Sequence, residues 1–264
     1  MKPLPLAVVV WKWGTLYDAD HVNRFARMVR RNLSIPHRFV CLTDRFSEDT
    51  FRLDIDHVLP YHMPSKHAAT HRANRRVEIL SKDWPERLGV RRVLQLDLDL
   101  VILGNINSLC QGWNTPMASY WHPGASYNPS FFLLPDPRDT QPVKGPGYLG
   151  DKLYGSATAF LDACWQTFDA DPEGTFKRAL HAGWSRGCSD QAIINWWLCG
   201  QSNTKSADSC AEIDHRHGFY AYKRMSDLQR VHPPIQARIV AFTGKQAQAA
   251  LLDRRHLWVE EALR

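Results

Sequence analysis

The sequence predicts an α/β protein, with a mostly parallel central sheet flanked by helices and a mixed second half. Three observations carry that prediction. The stretches PLAVVVW (Pro5–Trp11), HRFVCLT (His37–Thr43) and RRVLQLDLDLVILGN (Arg91–Asn105) contain near-continuous apolar runs, as strands buried on both faces do. Between the first two, Val22, Phe25, Val29 and Leu33 recur at spacings of three and four, the period of a helix packed on one side. Strand–helix–strand alternation of this kind builds parallel sheets. At 264 residues and 44% hydrophobic composition, the chain can bury a sizeable core in one domain.

The elements follow in order. After the first strand, KWGTLY is a loop with a glycine. Asp18 or Asp20 then caps a helix running to about Leu33, because a short carboxylate satisfies the open N–H groups of a helix start. The strand His37–Thr43 leads through a less regular section to a helix near His67–Ser81, and the Arg91–Asn105 stretch is the third strong strand. Beyond Asn105 the pattern loosens. MASYW (Met117–Trp121) and SFFLLP (Ser130–Pro135) read as short strands, and a helix lies within Gly150–Asp171. SDQAIINWWL (Ser189–Leu198) reads as a helix capped by Ser189. ARIVAFTG (Ala237–Gly244) is a late strand, followed by a closing helix.

Composition narrows the function classes. The net charge of +6 and pI of about 9.1 suit an anionic partner such as a nucleotide, a phosphorylated substrate or a membrane surface, the last by weak association. The basic residues are dispersed and no nucleic-acid motif accompanies them, so no nucleic-acid partner is expected. The six cysteines form no C-x-x-C and no metal-ligand spacing, and four fall within or beside apolar runs as small buried hydrophobes do. The N-terminal apolar run is too short for a signal sequence, and no stretch reaches 18 apolar residues. A cytoplasmic protein without a transmembrane segment is expected.

The chemistry-bearing feature is a pair of aspartates, Asp97 and Asp99, inside the third apolar stretch. Asp-x-Asp is weak evidence by itself: 20 aspartates in 264 residues give about 1.5 such pairs by chance. The chain has four, and Asp18/Asp20, Asp54/Asp56 and Asp169/Asp171 lie in polar surroundings suited to caps and loops. Only Asp97/Asp99 interrupts an apolar strand. In an extended strand, Leu94, Leu96, Leu98, Leu100 and Ile102 share one face while Gln95, Asp97 and Asp99 share the other. The carboxylates would then lie about 6.6 Å apart and repel by about 2.5 kcal/mol at an effective dielectric of 20. A hard divalent cation, Mn²⁺ or Mg²⁺, relieves that repulsion and can bridge the phosphates of a substrate.

With these residues in view, the chain resembles nucleotide-sugar glycosyltransferases of the GT-A fold, most of all bacterial relatives of the glycogenin and galactosyltransferase group. The segment from VVVWKWGTLYDAD to FVCLTD resembles that family's opening strand, nucleotide-contacting loop, helix and second strand. RRVEIL (Arg75–Leu80) resembles its helix with a basic residue directed to the phosphates, and VLQLDLDLVILGNINSL its metal-binding strand. YNPSFFLL (Tyr127–Leu134) resembles the segment that meets the donor sugar, and SDQAIIN (Ser189–Asn195) its Asp-Gln-x-x-x-Asn pattern. The resemblance covers most of the chain. It implies one domain, 1–264, with a nucleotide-binding half (1–105) and a sugar and acceptor half (106–264).

The resemblance also implies roles. Asp99 and Asp97 would hold Mn²⁺ or Mg²⁺, with Asp97 also near the ribose. Trp13, Gly14, Tyr17 and Asp44 would line the base and ribose site, while Arg76, Gly244 and Lys245 would face the diphosphate. Asn128 and Ser130 would bind the sugar, and Asp190 and Gln191 would act at the reacting centre. The donor would be a UDP-sugar in preference to a GDP-sugar, the acceptor is not specified, and transfer would retain the anomeric configuration. One position departs from the family: relatives often supply a third metal ligand, a histidine, where VAFTGKQ carries Thr243. His232 is the conceivable substitute, and substrate phosphates and water are the other ligands open to Mg²⁺.

Two rival readings share these residues. DLDLV also fits the Asp-x-Asp-x-[Thr/Val] nucleophile motif of haloacid-dehalogenase-type phosphatases, although that motif normally ends the first strand. A catalytically inactive GT-A-like protein that binds a nucleotide or partner is the alternative that Thr243 raises. GPGYLG (Gly145–Gly150) matches G-x-G-x-x-G, but no strong strand precedes it, so a loop is expected. The His215/His217 pair in DHRHG reads as solvated loop, and most of the ten tryptophans, Trp196 and Trp197 among them, as core.

Overall fold

The computed structural model describes residues 4–50, 52–61, 72–111, 113, 115–122, 126–144, 152–184, 190–199, 210–243, 245–254 and 256–264. In chain order the strands are β1 (Leu4–Lys12), β2 (His37–Thr43), β3 (His57–Pro60), β4 (Val90–Leu96), β5 (Leu100–Ile102), β6 (Met117–His122), β7 (Ser126–Leu133), β8 (Val143–Lys144), β9 (Leu153–Tyr154), β10 (Cys210–Ile213), β11 (Phe219–Ala221) and β12 (Ile239–Ala241). The α-helices are α1 (Ala19–Asn32), α2 (Phe46–Asp49), α3 (Trp84–Arg87), α4 (Asn107–Cys110), α5 (Ala157–Ala170), α6 (Pro172–His181), α7 (Asp190–Cys199), α8 (Asp227–Val231), α9 (Lys245–Leu252) and α10 (Leu257–Leu263). They form an α/β architecture with a large, mostly parallel mixed sheet flanked by helices. Among the described residues its strand order is β10-β6-β7-β4-β1-β2-β3, with a second sheet β11-β12-β5 and a ribbon β8-β9.

The chain forms two compact units that alternate along the sequence. The first comprises Met1–Ala7, His62–Leu94 and Trp113–Glu212; the second comprises Val8–Tyr61, Gln95–Gly112 and Ile213–Arg264. Neither coincides with residues 1–105 or 106–264.

In the second unit, α1 starts where the sequence places it: the Asp18 side chain accepts a hydrogen bond from the His21 backbone N–H at 2.8 Å. Its apolar stripe, Val22, Phe25 and Val29, is fully buried, and α1 and α10 pack against β5. Strand β2 spans the expected residues and pairs in parallel with β3. A buried ion pair, Lys12 Nζ to Asp49 at 2.8 Å, fastens the end of β1 to α2, and Thr43 donates to the same carboxylate. In the first unit, α5 packs on the 3-10 turn Arg72–Leu80, and α7 packs on β7 and on that same turn. The Arg72–Leu80 turn occupies the latter part of the helix expected over His67–Ser81; residues 67–71 lie outside the described residues.

Several expectations are corrected here. The third strong strand is not continuous. β4 ends at Leu96, the chain turns through Asp97–Asp99 with Leu100 N–H donating to the Asp97 carbonyl, and β5 belongs to the second sheet. Leu94, Gln95 and Leu96 are all fully buried, so β4 is covered on both faces, and the alternation of faces does not extend to the aspartates. Leucines and isoleucines line both pieces, so the apolar pattern runs through a break that the turn chemistry makes. β7 starts at Ser126 rather than Ser130, because the bulge at its pairing with β6 lets Asn128, Pro129 and Ser130 stay in the strand. β12 is shorter than Ala237–Gly244, and two helices, α9 and α10, follow it.

Other readings hold. Asp18 and Asp171 are helix caps, and Asp56 accepts the Phe39 backbone N–H. Trp196 and Trp197 are buried. The DHRHG segment is not the solvated loop expected but a one-turn 3-10 helix capped by Asp214, whose carboxylate also meets His217 Nδ1 at 3.1 Å. Cys41, Cys110, Cys164, Cys199 and Cys210 are buried, and burial pushes the Cys41 thiol up to about 12. GPGYLG, Ser189, Cys188 and Gly244 lie outside the described residues. No helix among those described is long and apolar enough to cross a membrane.

Candidate functional site

In the second unit, the residues of interest gather around the turn that ends β4. Asp99 is buried and Asp97 half-buried. The turn is held from three sides. His21, on the buried face of α1, donates from Nε2 to the Leu98 carbonyl at 2.8 Å. The Phe242 backbone N–H donates to the Asp99 carbonyl at 2.8 Å, which seats the chain leaving β12 beside the turn. Gln248, on α9, directs its side-chain amide to Asp99 Oδ2 at 3.4 Å.

Tyr17 completes the cluster. Its ring lies 4.7 Å from that of His21, and its hydroxyl is buried with no hydrogen-bond partner among the described residues. Burial, and then the charges of Asp99 and Asp97, raise the Tyr17 pKa, so the phenol remains a donor at neutral pH. Burial lowers the His21 pKa, and the Leu98 bond opposes that shift, so neutral imidazole is the working form near pH 7. A phenol O–H needing an acceptor, beside two carboxylates on one turn, is chemistry suited to an oxygen-rich ligand with a cation.

The preceding loop is also ordered by side chains. Gly14 has φ +62°, a conformation that side-chain-bearing residues avoid, and its N–H donates to Asp44 Oδ1 at 3.0 Å. Trp13 is half-buried and its ring stands 6.4 Å from Trp11. Lys245 is exposed at the start of α9, and Thr243 is half-buried just before it. His232 is exposed at the end of α8. Among the described residues no group of three or more His, Cys, Asp or Glu side chains is placed to hold a metal. The donors present, two carboxylates with a neutral amide and a phenol nearby, fit a hard cation that takes its other oxygens from phosphate and water.

In the first unit, the structure joins two residues expected to have separate tasks. Arg76 and Asp190 form a two-point ion pair, Nε to Oδ2 at 2.8 Å and Nη2 to Oδ1 at 3.0 Å. The Asp190 side chain is 0% exposed and that of Arg76 11%. With both oxygens engaged by a guanidinium, Asp190 fastens the start of α7 to the Arg72–Leu80 turn. The next turn of α7 adds a second fastener. Asn195 accepts from the Tyr127 N–H at 2.6 Å and donates to the Tyr127 carbonyl at 2.7 Å and the Gln191 carbonyl at 2.6 Å. Asn128 and Ser130 are buried and bonded to each other, Ser130 Oγ to Asn128 Oδ1 at 2.7 Å.

Sequence reasoning assigned no role to three of these residues. His21 lies on the buried face of α1, one residue before Val22, and that position was the available signal. Gln248 has no local signal at all. Asn195 was visible in its pattern, but its clamp on Tyr127 spans 68 residues.

A scan against protein-family models finds no match to this chain, and a search of curated proteins finds none at a significant level.

Proposed function

We propose that the chain is a GT-A-type glycosyltransferase that moves a sugar from a nucleoside-diphosphate sugar, UDP- in preference to GDP-, to an acceptor hydroxyl. The observation that carries this reading is the turn Asp97–Asp99 closing a buried strand, with the Tyr17 hydroxyl buried beside it. Asp99 and Asp97 would hold Mn²⁺ or Mg²⁺, which supplies charge to stabilise the departing diphosphate. His21 and the Phe242 N–H keep the turn rigid, Tyr17 donates a hydrogen bond to a substrate oxygen, and Lys245 adds positive charge. Gly14 keeps the loop tight enough for backbone approach to the nucleotide. Because Asp190 is committed to Arg76, its part is to position α7 and Gln191 rather than to take a proton, which accords with retention of configuration. In this reading the protein works in the cytoplasm.

The test is turnover of a panel of UDP- and GDP-sugars with Mn²⁺, read as release of the nucleoside diphosphate. The expected result is release from one UDP-sugar that stops when EDTA is added. Hydrolysis of p-nitrophenyl phosphate without nucleotide-sugar turnover would replace this reading with a phosphatase. Nucleotide binding without turnover would leave a binding protein.

A further inference from the structure

Gln248 is half-buried on α9, among the buried side chains of Ala247, Ala250 and Leu251. A carboxamide in such surroundings needs a polar partner. It meets one 149 residues back in the chain, where its Nε2 stands 3.4 Å from Asp99 Oδ2. That separation is long for an N–H···O bond, which favours about 2.9 Å. It is closer to the spacing of two ligands, since oxygens held at right angles on one Mg²⁺ or Mn²⁺ stand about 3 Å apart. The last torsion of a glutamine side chain is broad and roughly two-fold. A half-turn there exchanges the two ends of the carboxamide and sets Oε1 beside Asp99 Oδ2.

The rest of the site leaves room for such a ligand. Thr243, where the resembled family often carries a histidine, is half-buried and offers only a hydroxyl. Among the described residues no histidine or cysteine joins the two carboxylates in a group able to hold a metal. The buried Tyr17 hydroxyl keeps its proton and serves as a donor. We propose that Gln248 is the third protein ligand of the cation, supplying through Oε1 a neutral, hard oxygen in place of an imidazole. Resting on the cation reading of the Asp97–Asp99 turn, this assignment carries a consequence for metal preference. Carboxylate and amide oxygens suit Mg²⁺ as well as Mn²⁺, whereas imidazole favours later transition metals such as Co²⁺.

Electron paramagnetic resonance of free Mn²⁺, with UDP present and Mg²⁺ or Co²⁺ as competitor, tests the assignment. Gln248→Leu keeps the bulk of the side chain and removes its oxygen. It should weaken Mn²⁺ binding about tenfold or more, at nearly the same urea midpoint. Gln248→His should bind Mn²⁺ again and raise the ratio of Co²⁺ to Mg²⁺ affinity about tenfold above that of the natural protein. A residue that only braced Asp99 would leave that ratio where it is. Unchanged Mn²⁺ affinity in Gln248→Leu, with binding lost in Asp99→Asn, would overturn the assignment and leave the cation site standing. A Gln248→His protein that keeps the natural ratio, or binds no cation, would overturn it as well. If the natural protein bound no Mn²⁺ with UDP present, the cation site and its third ligand would fall together.

Discussion

Asp190 and Asp99 are both buried aspartates, and the fold holds them in opposite ways. Asp190 meets a guanidinium at two points at the start of α7. Asp99 meets the carboxamide of Gln248 and lies close to a phenol and a second carboxylate. A carboxylate neutralised within its own unit belongs to the architecture. Asp99, beside an amide, a phenol and a second carboxylate, is the one proposed to hold a cation. The difference separates two residues that look alike in sequence, each an aspartate at the edge of an apolar run.

The comparison breaks first on stability. Arg76→Ala removes the guanidinium from the buried Asp190 carboxylate, and should destabilise the protein by about 3–5 kcal/mol. Replacing both partners, Arg76→Met with Asp190→Leu, should cost much less. Urea denaturation measures both, and a loss under about 1 kcal/mol for Arg76→Ala would remove the fastener reading.

A smaller effect sharpens the other side. His21 has its pKa lowered below 6.5 by burial. Above pH 6.5 the imidazole is neutral in the folded and unfolded chain alike. As pH falls from 6.5 toward the lower folded value, the unfolded chain takes up the proton first, so stability declines by at most about 1.4 kcal/mol per pH unit. Urea midpoints at pH 7.5 and 5.5 should therefore differ more for the natural protein than for His21→Gln. Equal pH slopes would show that His21 does not brace the turn in its neutral form.

Much of this was legible in the sequence because it is local. β2, the Asp18 cap and the Val22–Phe25–Val29 stripe each follow from residues within one helix or strand. The break at Asp97–Asp99 was not legible, since apolar residues continue into β5 while the hydrogen bonds change sheet. Asp97 and Asp99 still stand out in the sequence, because carboxylates in an apolar run need a reason whatever the backbone does. The Arg76–Asp190 pair joins residues 114 apart, and Gln248 reaches Asp99 across 149. Neither separation leaves a periodic or motif signal, so the pairing of tasks across the first unit appears only once the chain is folded.

The central claim is that the Asp97–Asp99 turn holds a cation together with a diphosphate. Electron paramagnetic resonance titration of free Mn²⁺, with and without UDP, tests it most directly in the natural protein and in Asp99→Asn. The natural protein should bind one Mn²⁺ with UDP present, and Asp99→Asn should bind it at least 100-fold more weakly while unfolding at nearly the same urea concentration. Unchanged Mn²⁺ binding in Asp99→Asn, or no UDP-dependent binding in the natural protein, would contradict the account.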